Sequence, residues 1–557
     1  MTGAARSARA GEAAPPDEED RGARQAGRPR DGSLTGGRVP VGTPDEVAER
    51  AAAGARVPVT DPTLGITVPR EPRGDEPPHR LVVLGDSLSH GMQSGAVFAT
   101  DLAWPAVVAH ELGWAGYRRP RYGGPGGLPF NVELLLRDLE ERFGPDLRPD
   151  EVPLALLRAR AWADRVEDYW ERGPGSVVPT LTASPHALAV VGWDLADVLR
   201  RTAAGLEAGL ARPRDDVLRQ LVEDATARAA LRVYPRWSAG VSTQTLVEAA
   251  RALGEQGDGG PGIETLVVLL GANNCLGSVT QLRVAWSGDD AHDLAAKSRY
   301  TVWRPEHFRA EYAELVRAVE QVGAEHVVLC TVPHVTIAPV ARGIGGKLAP
   351  GSRYFAAYVR PWVSEDDFDP RADAHLTGEQ ARAVDAAVDL YDDAIEGHVR
   401  RAREEGRDWY LLDVTALLDR LAARRYAHDP AARPSWWTPY PLPPELAALE
   451  PPVDSRFLTA DGRGGRATGG LFSLDGVHPT TVGYGVLAQA VVDVMRLAGV
   501  AFRHPDGTVR ADPVQVDWAR LLRRDTLVRT PPQLVDPTLA LLGWADEAVD
   551  WLRRALP

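Results

Sequence analysis

Cysteine is nearly absent: Cys275 and Cys330 are the only two in 557 residues. Two thiols cannot make a disulfide framework or a zinc site. Each falls at or just past the end of a predicted strand, so both read as buried thiols, with a single bridge between neighbouring strand ends as the alternative. Lysine is equally scarce, Lys297 and Lys347 standing alone while arginine supplies the rest of the positive charge. With abundant Ala, Gly and Pro, that reads as the coding bias of a GC-rich genome rather than an adaptation. No stretch approaches the ~20 apolar residues of a membrane span. The opening Met1-Thr2-Gly3-Ala4-Ala5-Arg6 and the polar residues after it form no signal peptide. A reducing, cytoplasmic setting is therefore expected. Positive charge is also in deficit, at a formal net of −14, so phosphates would be repelled and neither nucleic acid nor an anionic membrane is expected as a general partner.

What is present is ample apolar residue, 44% of the chain, in a length too great for one ordinary core. Residues 1 to about 76 are rich in Arg, Glu, Gly, Ala and Pro and poor in large apolar side chains. They read as a disordered tail that cannot offset its ordering entropy, with a short helix possible over 44–53. The character changes at Arg80, where Leu81-Val82-Val83-Leu84 runs into Gly85 as a buried parallel strand would. Similar runs follow at 187–191, 266–270, 326–331 and 409–414. Helical patterns lie between them: Phe308, Tyr312, Leu315, Val319 and Val322 share one face, as do Val384, Val388, Tyr391, Ile395 and Val399. Thr377 with Gln380 suggests a capping box for the latter, and a last helix is expected over 482–497. Alternating strands and helices predict an α/β fold, a three-layer α/β/α sandwich on a five-stranded, mainly parallel, flavodoxin-like sheet.

The strand spacing is uneven, and loops so long are uncommon unless they carry function. Insertions are expected at about 95–185, 335–376 and 420–474, at one edge of the sheet and forming a cap. The α/β frame would then span 77–500, with 501–557 a set of short helices packed on the outside. Tyr354, Phe355, Tyr358, Trp362, Trp436, Trp437 and Tyr440 lie in these insertions. They suit either the core of the cap or the walls of a ligand site.

Ligands of open parallel sheets gather at the carboxyl ends of the strands. After the first strand comes Gly85-Asp86-Ser87-Leu88-Ser89, a serine on a sharp strand-to-helix turn. Nearly four hundred residues later comes Asp475-Gly476-Val477-His478-Pro479. A serine hydroxyl needs a base, histidine suits that role near neutrality, and a carboxylate must orient the ring. The three-residue step lets one loop turn both side chains toward each other. Each peptide alone also suits an ordinary cap or turn. Asp31-Gly32-Ser33-Leu34 echoes the first but has no strand before it. Asp86, beside the serine, reads as a helix cap rather than the triad acid. His90 and His334 lie near the site by the same logic, although a lone histidine is more often structural. The cluster Gly123-Gly124-Pro125-Gly126-Gly127 and the pair Gly346-Lys347 lack the spacing of a phosphate loop, and neither Gly-x-Ser-x-Gly nor His-Glu-x-x-His occurs.

Taken together, Gly85-Asp86-Ser87-Leu88-Ser89 and Asp475-Gly476-Val477-His478-Pro479-Thr480 resemble the first and last signature blocks of the SGNH, or GDSL, lipase/esterase superfamily. Val191-Gly192-Trp193 matches the glycine expected after the second strand. Gly271-Ala272-Asn273-Asn274 matches the third block except that Asn274 replaces an aspartate. The resemblance runs as a skeleton from about residue 80 to 500 and is specific at these four blocks. It implies Ser87 as nucleophile, Asp475 and His478 completing a triad, and an oxyanion hole from the Ser87 amide, the Gly192 amide and the Asn273 side chain. Hydrolysis of a small-molecule, possibly lipid-like, ester follows as the expectation, with no cofactor or metal. Acyl transfer, carbohydrate deacetylation and a non-enzymatic scaffold are the alternatives.

Overall fold

Strands buried on both faces alternate their side chains between two cores, and this chain does so throughout its central sheet. The computed structural model describes residues 39–69, 76–210, 222–504 and 506–538. In it β1 (His79–Gly85), β2 (Ala187–Ala189), β3 (Ile263–Leu269), β4 (Ala324–Cys330) and β5 (Trp409–Leu412) form one parallel sheet. The spatial order is β2-β1-β3-β4-β5, the flavodoxin-like order expected, with its switch point between β1 and β3.

Helices α1 (Asp45–Ala52), α2 (Ser87–His90), α3 (Trp104–Glu111), α4 (Leu246–Gly254), α5 (Pro305–Val319), α6 (Gly378–Glu404), α7 (Val414–Leu421), α8 (Thr481–Leu497) and α9 (Trp518–Arg524) surround it. Val82, Leu84, Val268 and Leu329 face a core shared with α4, α5 and α6. Leu81, Val83, Val267 and Val328 face the opposite core, shared with α3, α7, α8 and α9. Each of β1, β3, β4 and β5 therefore contributes to both layers, which is why it reads as an unbroken apolar run. The capping box of α6 forms as expected: Gln380 N–H donates to Thr377 Oγ1 at 3.2 Å, and Thr377 N–H to Gln380 Oε1 at 2.9 Å.

The tail expected to be disordered is ordered over 39–69. Helix α1 packs on α6 through the buried Val47. The Arg56 guanidinium, 8% exposed, donates to Asp413 Oδ2 at 2.7 Å, and Val59 N–H reaches the same oxygen at 2.8 Å. Leu411 N–H donates to Pro62 O, and Arg403 to Ile66 O, so the segment runs along the β5 edge. Composition misleads here because polar contacts to α6 and β5 hold much of the segment. Asp31-Gly32-Ser33-Leu34 lies outside the described residues.

The insertions leave from the carboxyl ends of β1, β4 and β5 and are not confined to one edge. The first supplies α3 to the second core. The middle one folds into a small antiparallel sheet of Arg342–Lys347, Phe355–Val359 and Leu376–Thr377. Tyr354 and Tyr358 are buried in the first core, and Trp437 packs on Tyr426 and Ala432. These rings are core. Nor is the C-terminal extension merely external: Trp518, Leu521 and Leu522 complete the second core against α8, where a Cβ on Gly485 would fall 2.5 Å from Leu521. Both cysteines are free and buried, Cys275 in one core and Cys330 in the other, so the sheet lies between them.

Candidate active site

The turn after β1 is tight because Gly85 has no side chain; a Cβ there would fall 2.3 Å from Ser89 Oγ. Asp86 caps α2, accepting from Leu88 N–H at 3.0 Å. Burial pushes its carboxyl up to about 6, against the pull of the Leu88 amide and of His478 nearby. Ser87 is thereby the first residue of α2, where backbone N–H groups have no intrahelical partner.

His478 Nε2 lies 2.9 Å from Ser87 Oγ, and its Nδ1 lies 3.0 Å from Asp475 Oδ2. An ionised Asp475 fixes the tautomer: Nδ1–H donates to the carboxylate, and Nε2 accepts from the serine hydroxyl. Burial alone would raise the Asp475 carboxyl. The charge and ring N–H of His478, with the Val477 and His478 amides on Oδ1 at 2.9 and 2.8 Å, outweigh it and hold the group at about 2. Gly476 permits the turn: its φ is +67°, and a Cβ would sit 2.8 Å from Val340 N, which donates to the Gly476 carbonyl.

Sequence reasoning missed the partners of this loop. Gly95 N–H donates to Asp475 Oδ2 at 2.9 Å, and Ser94 N–H donates to Ser473 Oγ at 2.8 Å. Nothing in the local pattern at 94–95 signals either bond; both depend on the turn after α2 meeting a loop folded in from the far end of the chain.

Gly192 adopts φ +75° just beyond β2, which glycine alone takes without strain. The preceding Val191 N–H donates to His90 Nδ1 at 3.1 Å, and His90 Nε2 lies 2.5 Å from the Tyr122 hydroxyl, which donates onward to Ala229 O. Burial pushes His90 down to about 3. It is a neutral brace for the Gly192 turn. Asn273 Nδ2 donates one hydrogen to Trp193 O at 2.8 Å, leaving its second N–H for another acceptor. Asn274, in the place of the aspartate, is fully buried with no side-chain hydrogen-bond partner among the described residues. A carboxylate would be far costlier there. His334 is wholly buried, its two ring nitrogens 3.2 Å from Asp389 and Asp419. The carboxylates raise it to about 10 despite its burial. Its ring therefore braces the protein interior.

Two clefts meet at Asn273 and Leu276. One, into which Ser87 and His478 open, is walled by aliphatic side chains such as Leu88, Leu417, Leu418 and Leu487. The other holds Gly192 with polar groups including Asp197, Arg201, Gln281 and Lys297. The apolar wall thus comes largely from α2, α7 and α8, with Val335, Ala338, Leu471 and Phe472 added by the insertions, and not from Tyr354, Phe355, Tyr358, Trp362, Trp436, Trp437 or Tyr440. No group of three or more His, Cys, Asp and Glu among the described residues is arranged to hold a metal ion, and no described helix is long and apolar enough to cross a membrane. No family model matches the chain, and no curated protein does either.

Proposed function

We propose that this protein is a serine ester hydrolase of the SGNH type. The relay from Ser87 Oγ through His478 to Asp475, within 3.0 Å at each step, carries the reading. In the proposed reaction Ser87 Oγ attacks an ester carbonyl carbon as His478 Nε2 takes its proton, and Asp475 stabilises the imidazolium. The oxyanion draws on the amides of Ser87 and Gly192 and the free N–H of Asn273. His478 returns the proton to the leaving alcohol, and water repeats the sequence on the acyl-enzyme to release the acid.

The aliphatic cleft beside Ser87 favours an apolar acyl group, and the polar cleft beside Gly192 a hydrophilic alcohol. Acyl transfer or sugar deacetylation would use the same groups, with the polar cleft seating the acceptor or the sugar.

A fluorophosphonate probe tests the reading. Wild-type protein should be labelled on Ser87, while Ser87→Ala and His478→Ala should lose labelling and most turnover of short nitrophenyl esters. Well-folded wild type that stays unlabelled favours the scaffold alternative. Adding a competing alcohol and analysing products separates hydrolysis from transfer.

A further inference from the structure

Away from the triad, a second pocket lies between the middle and last insertions. Arg342, Arg353, Arg424, Arg425 and Arg456 line it, with no aspartate or glutamate in its wall. That runs against a chain with 77 acidic and 63 basic residues. Two of these cations are already neutralised: Arg425 by Asp385 at 2.7 Å, and Arg456 by Asp454 at 2.7 Å. Arg342, Arg353 and Arg424 make no ion pair within 4.0 Å among the described residues, and all three are half-buried; Asp385 and Asp419, already engaged by Arg425, act on Arg353 only at longer range.

Their existing bonds are to neutral oxygens. Arg342 donates to Val363 O, Arg424 to Gly343 O at 2.5 Å, and Arg353 to the hydroxyls of Tyr354 and Tyr426. Arg342 Nε is buried with no hydrogen-bond partner. Burial and the repulsion of Arg342 and Arg456 push the Arg424 guanidinium down, with Glu365 opposing from outside the wall. Gathering like charges in a partly dry pocket is unfavourable until a counter-charge enters. Guanidinium forks match tetrahedral oxyanions in geometry, and three of them suit a group with three terminal oxygens better than a single carboxylate. The wall also holds Ser455, Thr459 and Thr468.

We infer that this pocket binds a phosphate-class anion, a free phosphate or a phosphomonoester, on Arg342, Arg353 and Arg424. It is distinct from the aliphatic cleft: Pro333, Val335 and Ala338 line that cleft while Thr336, Ile337, Pro339 and Ala341 line this pocket, so the 333–341 segment partitions the two. Its wall residue Phe457 also lies against Gly476 in the His478 loop.

The test uses the full chain, titrated with inorganic phosphate, glycerol phosphate, or phosphatidylcholine vesicles containing phosphatidic acid, each against chloride at equal ionic strength. Melting temperature and calorimetric heat are read. We expect saturable binding with a rise of several degrees, abolished in the Arg342→Gln/Arg424→Gln double variant. In Arg353→Gln the affinity should fall at least tenfold. Tighter binding of glycerol phosphate than of phosphate identifies a soluble monoester, and a response to vesicles alone identifies a lipid headgroup. Absence of saturable binding in all three arms, or unchanged binding in a folded variant, overturns the assignment. Should the double variant not fold, the wild-type arms and Arg353→Gln decide. Ser87→Ala should bind phosphate like wild type, so this outcome is independent of the proposed hydrolase activity.

Discussion

The carboxylate of Asp475 accepts a hydrogen bond from the backbone N–H of Gly95 at 2.9 Å, joining residues 380 positions apart. Gly95 holds φ +82°, and a Cβ there would sit 2.7 Å from Phe130 O. Gly95→Ala must therefore move the turn and loosen Asp475. The expected result is a stability loss of about 1–3 kcal/mol. With it should come a fall in kcat of roughly tenfold, the scale of about 1.4 kcal/mol of lost transition-state stabilisation, with KM little changed. Unfolding curves and steady-state kinetics check both.

Asn273 reaches both clefts and has one N–H free of Trp193. Asn273→Ala should lower kcat by about 100- to 1,000-fold, the range for loss of one oxyanion donor. Fluorophosphonate labelling should slow but not vanish. Wild-type rates on a nitrophenyl ester would remove Asn273 from the reaction.

Asp475 is held at about 2 in the fold, below its ordinary 3.8. Its contribution is full above the unfolded value and is lost as pH falls from about 4 toward 2. The size is about 2 kcal/mol. Asp475→Asn should flatten this part of the acid-unfolding profile. It should also lower kcat by about four orders of magnitude, since the amide no longer imposes the tautomer. Acid curves that superimpose for the two proteins would contradict the assignment.

Arg56, which the composition assigns to a disordered tail, bridges buried Asp413 at 2.7 Å, and partly offsets the burial that drives the Asp392 carboxyl up. Removing it leaves carboxylates uncompensated, so Arg56→Ala should cost about 3–5 kcal/mol. Deleting the chain through residue 69 should lower the melting temperature clearly. Equilibrium denaturation measures the first and a thermal melt the second.

Much of the frame was legible because the parallel strands are short apolar runs and their helices keep a 3.6-residue rhythm. Leu81–Leu84 announces β1, and Thr377 with Gln380 announces the start of α6. The candidate site residues could be named because four short blocks, after three of the strands and before the last helix, together resemble the SGNH signature, although each block alone suits an ordinary cap or turn. The contacts that aim those side chains were not legible. Gly95 on Asp475, Val191 on His90 and Trp193 on Asn273 use backbone groups that every residue possesses, so no residue type marks them. The structural reading of His334 and the core reading of the insertion aromatics were legible on general grounds, but their partners were hidden, since burial among distant carboxylates or rings leaves no local pattern.

By itself, then, the order of residues determined the parallel α/β frame and the identity of the groups placed at its rim, because periodicity and turn chemistry act over a few neighbours. Only the tertiary structure decided that Ser87 and His478 meet at 2.9 Å, that residues 39–69 are bound to the β5 edge, and that three arginines share a pocket with no ion-pair partner of their own within 4.0 Å among the described residues. Those are distances between remote segments, set by how helices and insertions pack, and such distances are not encoded in any single stretch of chain.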